Sequence, residues 1–174
     1  MPQFTVQLNI NGPASDVWAL LTDDAFLEDL YRNRLQYVQW SVTARRTAPE
    51  GDLIREVALI PPMNAPAPVQ KLLGSGFRQT EESRFDEKQL IWTWRRIPST
   101  MADKIKEEGR VRVEEAPDGG SRLIAETTVE CKIFGVGGLM ESTAEKHSRH
   151  DWQTLGEVLA RRLAADKDKN EDKS

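Results

Sequence analysis

The sequence predicts an α+β domain in which a curved antiparallel β-sheet wraps around one long C-terminal helix, with a short helix pair near the N-terminus. Three observations carry that expectation. Several segments alternate apolar and polar residues at period two, the pattern of strands with one buried face. The stretch from Leu139 to about Ala164 has no proline and sets apolar residues near helical spacing. A sheet with a single apolar face must cover it, and this helix is the only long element able to do so.

The first strand is "QFTVQLNI", where Phe4, Val6, Leu8 and Ile10 share one face. "NGP" ends it, and Ser15 is placed to cap a helix whose apolar side is Val17, Trp18, Leu20 and Leu21. "DDAFLEDLY" adds a second short helix. Residues 35–48 and "LIREVALI" form a hairpin through "PEGD". "PPMNAPAPVQKLLGSG" then interrupts the sheet, because its prolines forbid a central strand, and it suits a lid or rim with one or two helical turns. Strands are expected at 77–85, 89–97, 109–116 and 121–133, the last two joined by "PDGG". In the final strand Leu123, Ala125, Thr127, Val129 and Cys131 face inward. Residues 1–165 read as a single domain, and the mixed-charge tail 166–174 as disordered.

Composition narrows the function. With 24 Lys+Arg against 28 Asp+Glu the net charge is −4, which argues against nucleic acid as a partner. The single cysteine, Cys131, excludes an internal disulfide and a cysteine-based metal site, and it reads as a buried thiol. "MPQFTVQLNI" alternates and so is not a signal h-region, and no segment approaches a membrane span; the expectation is a cytoplasmic protein with no integral membrane association.

Two stretches invite a sharper reading. "KIFGVGGLMES" places Gly135, Gly137 and Gly138 between a strand and the long helix. A dinucleotide loop requires a following strand, and a P-loop requires Lys-Ser/Thr after the glycines; neither is present, so these glycines read as a hinge that aims the helix. "EKHSRHD" carries Glu145, His147, His150 and Asp151, with His147 and Asp151 one turn apart, but no third convergent ligand can be named and no metal or cofactor is expected. Glu141 and His147 are the candidate general bases, against a plainer reading as helix-surface residues such as the Glu145–Arg149 pair.

The opening "FTVQLNINGPASDVWALLTD", with its Val17-Trp18 pair after a strand and small-residue turn, resembles the start of START-like (SRPBCC) helix-grip proteins. The closing "GVGGLMESTAEKHSRHDWQTLGEVLARRL" is similar to their C-terminal helix, most closely in a bacterial branch without an established function. The resemblance implies a cavity between sheet and helix and no particular activity, since that superfamily includes polyketide cyclases and lipid carriers alike.

The residues expected to line such a cavity are Leu139, Met140, Thr143 and His147 on the helix, Val129 and Cys131 opposite, and Trp92 and Trp94 as aromatic walls. Thr143, His147 and Thr154 interrupt the helix's apolar stripe, as a wet or ligand-filled space would allow. The expected partner is a hydrophobic or amphipathic small molecule, lipid-like or polycyclic. The alternatives are a cyclase or dehydratase using His147 for proton transfer, and a protein-interaction module built on the proline-rich insert.

Overall fold

The computed structural model describes residues 2–172. Seven strands form one antiparallel sheet: β1 (Gln3–Ile10), β2 (Gln39–Thr47), β3 (Leu53–Ile60), β4 (Gln79–Asp86), β5 (Ile91–Pro98), β6 (Ile105–Glu115) and β7 (Ser121–Cys131). Their spatial order is β1-β7-β6-β5-β4-β3-β2, so β2 to β7 run as a meander and β1 pairs with the last strand. The helices are α1 (Ala14–Leu21), α2 (Asp24–Asp29), α3 (Ala67–Leu73) and α4 (Gly137–Asp172).

Register places the inner face in rungs. Leu53, Phe85, Trp92, Val111 and Ala125 stand opposite one another across β3 to β7 and form an apolar rung. The next rung is Arg55, Ser83, Trp94, Gly109 and Thr127, and the one beyond it is Val57, Glu81, Arg96, Glu107 and Val129. The inner face therefore turns from apolar to charged along the strands.

Gly109 is required by the middle rung. A Cβ there would lie 2.5 Å from the Trp94 ring and 2.8 Å from the Glu126 carbonyl, so the indole rests on the glycine's bare backbone. Gly109→Ala is expected to destabilise the chain by about 1–3 kcal/mol, the usual scale for overpacking. It should also shift Trp94 emission; an unchanged emission and urea midpoint would contradict this packing.

α4 packs on β7 and β1 through Met140, Trp152, Leu155, Leu159 and Leu163. Its 36 residues extend about 54 Å at the usual rise. The helix continues to Asp172, so residues 166–172 are helical and not the disordered tail expected from their charge; Asp166 pairs with Arg162 one turn back, 3.4 Å away. Positions 173–174 of that tail lie outside the described residues.

Several boundaries differ from expectation for physical reasons. Ser15 is exposed and does not cap α1; Pro13 occupies the cap position, and the Ala14 N–H donates to Glu115 Oε1 at 2.9 Å. Residues 30–34 wind into a π-helical turn, so β2 begins at Gln39 and not near Leu35. β6 begins at Ile105, four residues before Gly109, where it pairs with Cys131; its inward positions Glu107 and Gly109 break the apolar alternation that would mark this stretch in the sequence.

The glycine turn also differs in detail. Gly135 has a φ of +82°, which glycine adopts without penalty. Gly137 sits so close to the Cys131 carbonyl that any Cβ would collide with it, whereas Gly138 faces open space. Gly137→Ala should therefore cost about 1 kcal/mol or more through the displaced start of α4, while Gly138→Ala should be neutral or stabilising by a few tenths. Thermal melts of the two variants check this, and equal effects would contradict it.

Candidate functional site

A cavity of about 140 Å³ lies between the inner face of the sheet and α4. The π-helical turn and its exit supply Tyr31 and Tyr37, and the rim is formed by Pro61–Ala65 and by Val69 and Leu73 of α3. Gly74, with φ of +79°, ends α3, and Val69 packs with Cys131 and Met140 beneath it. The proline-rich insert is thus a rim, held by a small apolar cluster separate from the main core.

Of the residues expected on the wall, Trp92, Trp94, Val129, Met140, Thr143 and His147 line the cavity. Leu139 does not; it is 40 % exposed on the outer side of the first turn of α4. Cys131 is buried against Val69 and Met140 but is not part of the lining, and burial pushes its thiol pKa up, away from nucleophilic character. Thr154 lies outside the lining. Glu141 accepts a hydrogen bond from the Cys131 N–H at 2.9 Å, which fastens α4 to the end of β7 and removes it as a free base. Glu145 and Arg149 do pair, at 3.4 Å.

Of the polar side of the cavity, sequence reasoning found Thr143 and His147 but not Tyr37, Arg96, Glu81 or Glu107, and it did not place Asp151 on the wall. Tyr37 donates to Asp151 Oδ2 at 2.7 Å, its oxygen lies 3.3 Å from His147 Nε2, and His147 and Asp151 are 3.4 Å apart. On the facing sheet, Arg96 Nε donates to Glu81 Oε2 at 2.9 Å, and Gln79 donates to Glu107 Oε2 at 3.1 Å. Trp152, adjacent to Asp151, also lines the space and meets Trp92 edge-on at 6.0 Å between ring centroids. The available signal was charge at inward strand positions: Glu81, Arg96 and Glu107 occupy one rung where a dry sheet would carry apolar side chains.

Burial pushes the Asp151 carboxyl above its ordinary pKa, while His147, the Tyr37 hydrogen bond and Arg96 pull it down. Burial likewise raises the Tyr37 and Tyr31 phenols, so both are neutral donors at physiological pH. The folded chain holds the Asp151 proton more tightly than the unfolded chain. Its contribution to stability is therefore lost as pH rises from the ordinary carboxylate range through the raised folded value. Asp151→Asn removes that dependence, so the variant's stability relative to the parent should climb across this window and level off above it. Urea unfolding at a series of pH values checks this, and a difference that does not change with pH would contradict it.

Among the described residues no group of three His, Cys, Asp or Glu is arranged to hold a metal ion, and no helix is long and apolar enough to cross a membrane.

The family described as "Protein of unknown function (DUF2505)" matches residues 5–163. The chain belongs to this family. No curated protein matches it. Among solved structures, TTHA0849 from Thermus thermophilus superimposes with a TM-score of 0.67 at 21 % identity, covering 94 % of this chain and 98 % of that one. The Zhui aromatase/cyclase from a Streptomyces species gives 0.61 at 16 % identity, covering 93 % and 95 %. Ara h 8.0201 gives 0.58 at 12 % identity, covering 91 % and 97 %. Identities this low speak to fold alone, and the fold of this DUF2505 member is the START-like helix-grip fold that its sequence resembles.

Proposed function

We propose that this DUF2505 protein binds a hydrophobic or amphipathic small molecule in the cavity between sheet and α4. The observation that carries the reading is one space between sheet and helix with an apolar wall of Trp92, Trp94, Val129 and Met140 and a polar wall of Tyr37, His147 and Asp151. Apolar burial at about 25 cal/mol per Å² supplies affinity, and the polar wall orients the ligand. A dry cavity of roughly 150 Å³ is known to hold benzene, so a space of about 140 Å³ takes a single ring; a larger lipid-like or polycyclic ligand requires the rim at 61–73 to move outward.

Titration calorimetry with 4-propylphenol tests the reading. Saturable one-to-one binding with a negative heat-capacity change is expected, the mark of apolar burial. No binding, or binding without that heat-capacity change, would defeat it.

A second reading, a cyclase- or dehydratase-type enzyme acting on a polyketide-like substrate, is favoured by one observation: a neutral phenol, a carboxyl and an imidazole in mutual contact inside the cavity. The aromatase/cyclase likeness supports it at the level of fold. It predicts that His147→Ala loses turnover and retains ligand binding.

A further inference from the structure

The charges around the cavity are unequal in sign. Its wall carries three carboxylates, Glu81, Glu107 and Asp151, against one guanidinium, Arg96, and the imidazole of His147. Arg96 is already shared: Glu81 Oε2 lies 2.9 Å from its Nε, and Glu107 Oε1 lies 3.7 Å from its Nη1. Both lie beside Arg96 in register, so the rung is fixed by strand pairing and not by a mobile side chain. Glu81 is almost wholly buried, with a side chain only 3 % exposed, and its other oxygen accepts from Ser83 at 3.2 Å. The sheet wall therefore has two carboxylates closing on one cation, with no guanidinium left for an anionic ligand.

On the helix wall Asp151 is less well matched. Its Oδ2 accepts from Tyr37, but its Oδ1 is buried without a partner, and the nearest basic group is His147 at 3.4 Å. A buried carboxylate with an open acceptor is costly unless something supplies a donor. Burial moves its carboxyl up, and the pull of His147, Arg96 and His150 in the other direction does not cancel it.

We propose that the ligand class of this cavity is a small aromatic or apolar amine, bound as its ammonium with the charge at Asp151, and that carboxylate ligands such as fatty acids are excluded. The proposal rests on the reading that the cavity binds an apolar small molecule. Cavity size limits the apolar part to about one ring with a short chain unless the rim opens.

Three molecules of nearly equal shape separate charge from shape: 2-phenylethylamine, 2-phenylethanol and phenylacetate, each titrated into the full chain by calorimetry at neutral pH. The amine is expected to bind about tenfold more tightly than the alcohol, and phenylacetate more weakly than both. In Asp151→Asn the amine-over-alcohol ratio should fall to within about threefold of unity. Phenylacetate binding as tightly as the amine, or an amine preference that survives Asp151→Asn, overturns the proposal. Equal binding of all three overturns it while the cavity reading stands. If none of the three binds, both fail. The ligand series on the parent chain decides the question even if the variant folds poorly.

Discussion

Asp24→Ala is expected to lower the stability of the chain by about 3 kcal/mol, the low end for stranding one partner of a buried ion pair. Arg55 is buried on the inner face of β3 with a side chain 0 % exposed, and its Nη1 lies 3.1 Å from Asp24 Oδ1 at the start of α2. Its guanidinium sits over the rings of Phe85, Trp40 and Trp92, 4.7 to 5.9 Å from their centroids, while its Nε and Nη2 have no partner. Asp24 is the only carboxylate paired with it among the described residues, and losing it leaves a charge among apolar rings. Arg45, exposed and also paired with Asp24 at 2.7 Å, should contribute little, as surface pairs do. In the double variant Asp24→Ala/Arg55→Met most of the loss should return, because well-packed apolar groups replace buried ion pairs at little net cost. Urea unfolding of the four proteins in the cycle checks this, and a double variant as unstable as Asp24→Ala alone would contradict it.

Ala144→Phe is expected to abolish measurable binding of 4-propylphenol, at least about a tenfold loss, while changing stability by less than about 1.5 kcal/mol. Ala144 lies on the cavity wall of α4 between Met140 and His147, and its small side chain leaves room for a ligand ring. A phenyl group built from that position occupies the space itself. Filling an existing void adds dispersion contacts without the strain that overpacking a dense core brings. Calorimetry and urea unfolding on the same preparation report both quantities. Retained binding would place the ligand elsewhere on the molecule, and a large loss of stability would show that the space is not open.

The elements of this fold that are legible in the sequence are those with one clean apolar face. β1 alternates Phe4, Val6 and Ile10 against polar residues, β7 sets Leu123, Ala125 and Val129 on one face with Ile124 the one apolar residue opposite them, and both lie where period two puts them. The inner face becomes illegible where it borders the cavity. There β4 turns Gln79, Glu81 and Ser83 inward, and β6 turns Glu107 and Gly109 inward; no apolar alternation marks these positions, and only register sets them beside Arg96 and Trp94. Trp92, Trp94, Met140, Thr143 and His147 can be named for the cavity wall from facing alone. Tyr37 cannot, because a π-helical turn and a φ of +62° at Gln36 carry it to α4, 110 residues away in sequence from His147. Leu139 departs from expectation because one helical step separates it from Met140, and helical spacing alone does not decide which of two neighbours faces the sheet.

The most direct test of a ligand site between sheet and α4 is an amide and indole ¹⁵N correlation spectrum recorded through a titration with 4-propylphenol. Saturating shifts are predicted at the Trp92, Trp94 and Trp152 indoles and along Met140 to Asp151, with none on the outer face around Glu82, Arg95 and Arg110. Shifts confined to that outer face, or no shifts at saturating ligand, would contradict a site between sheet and helix.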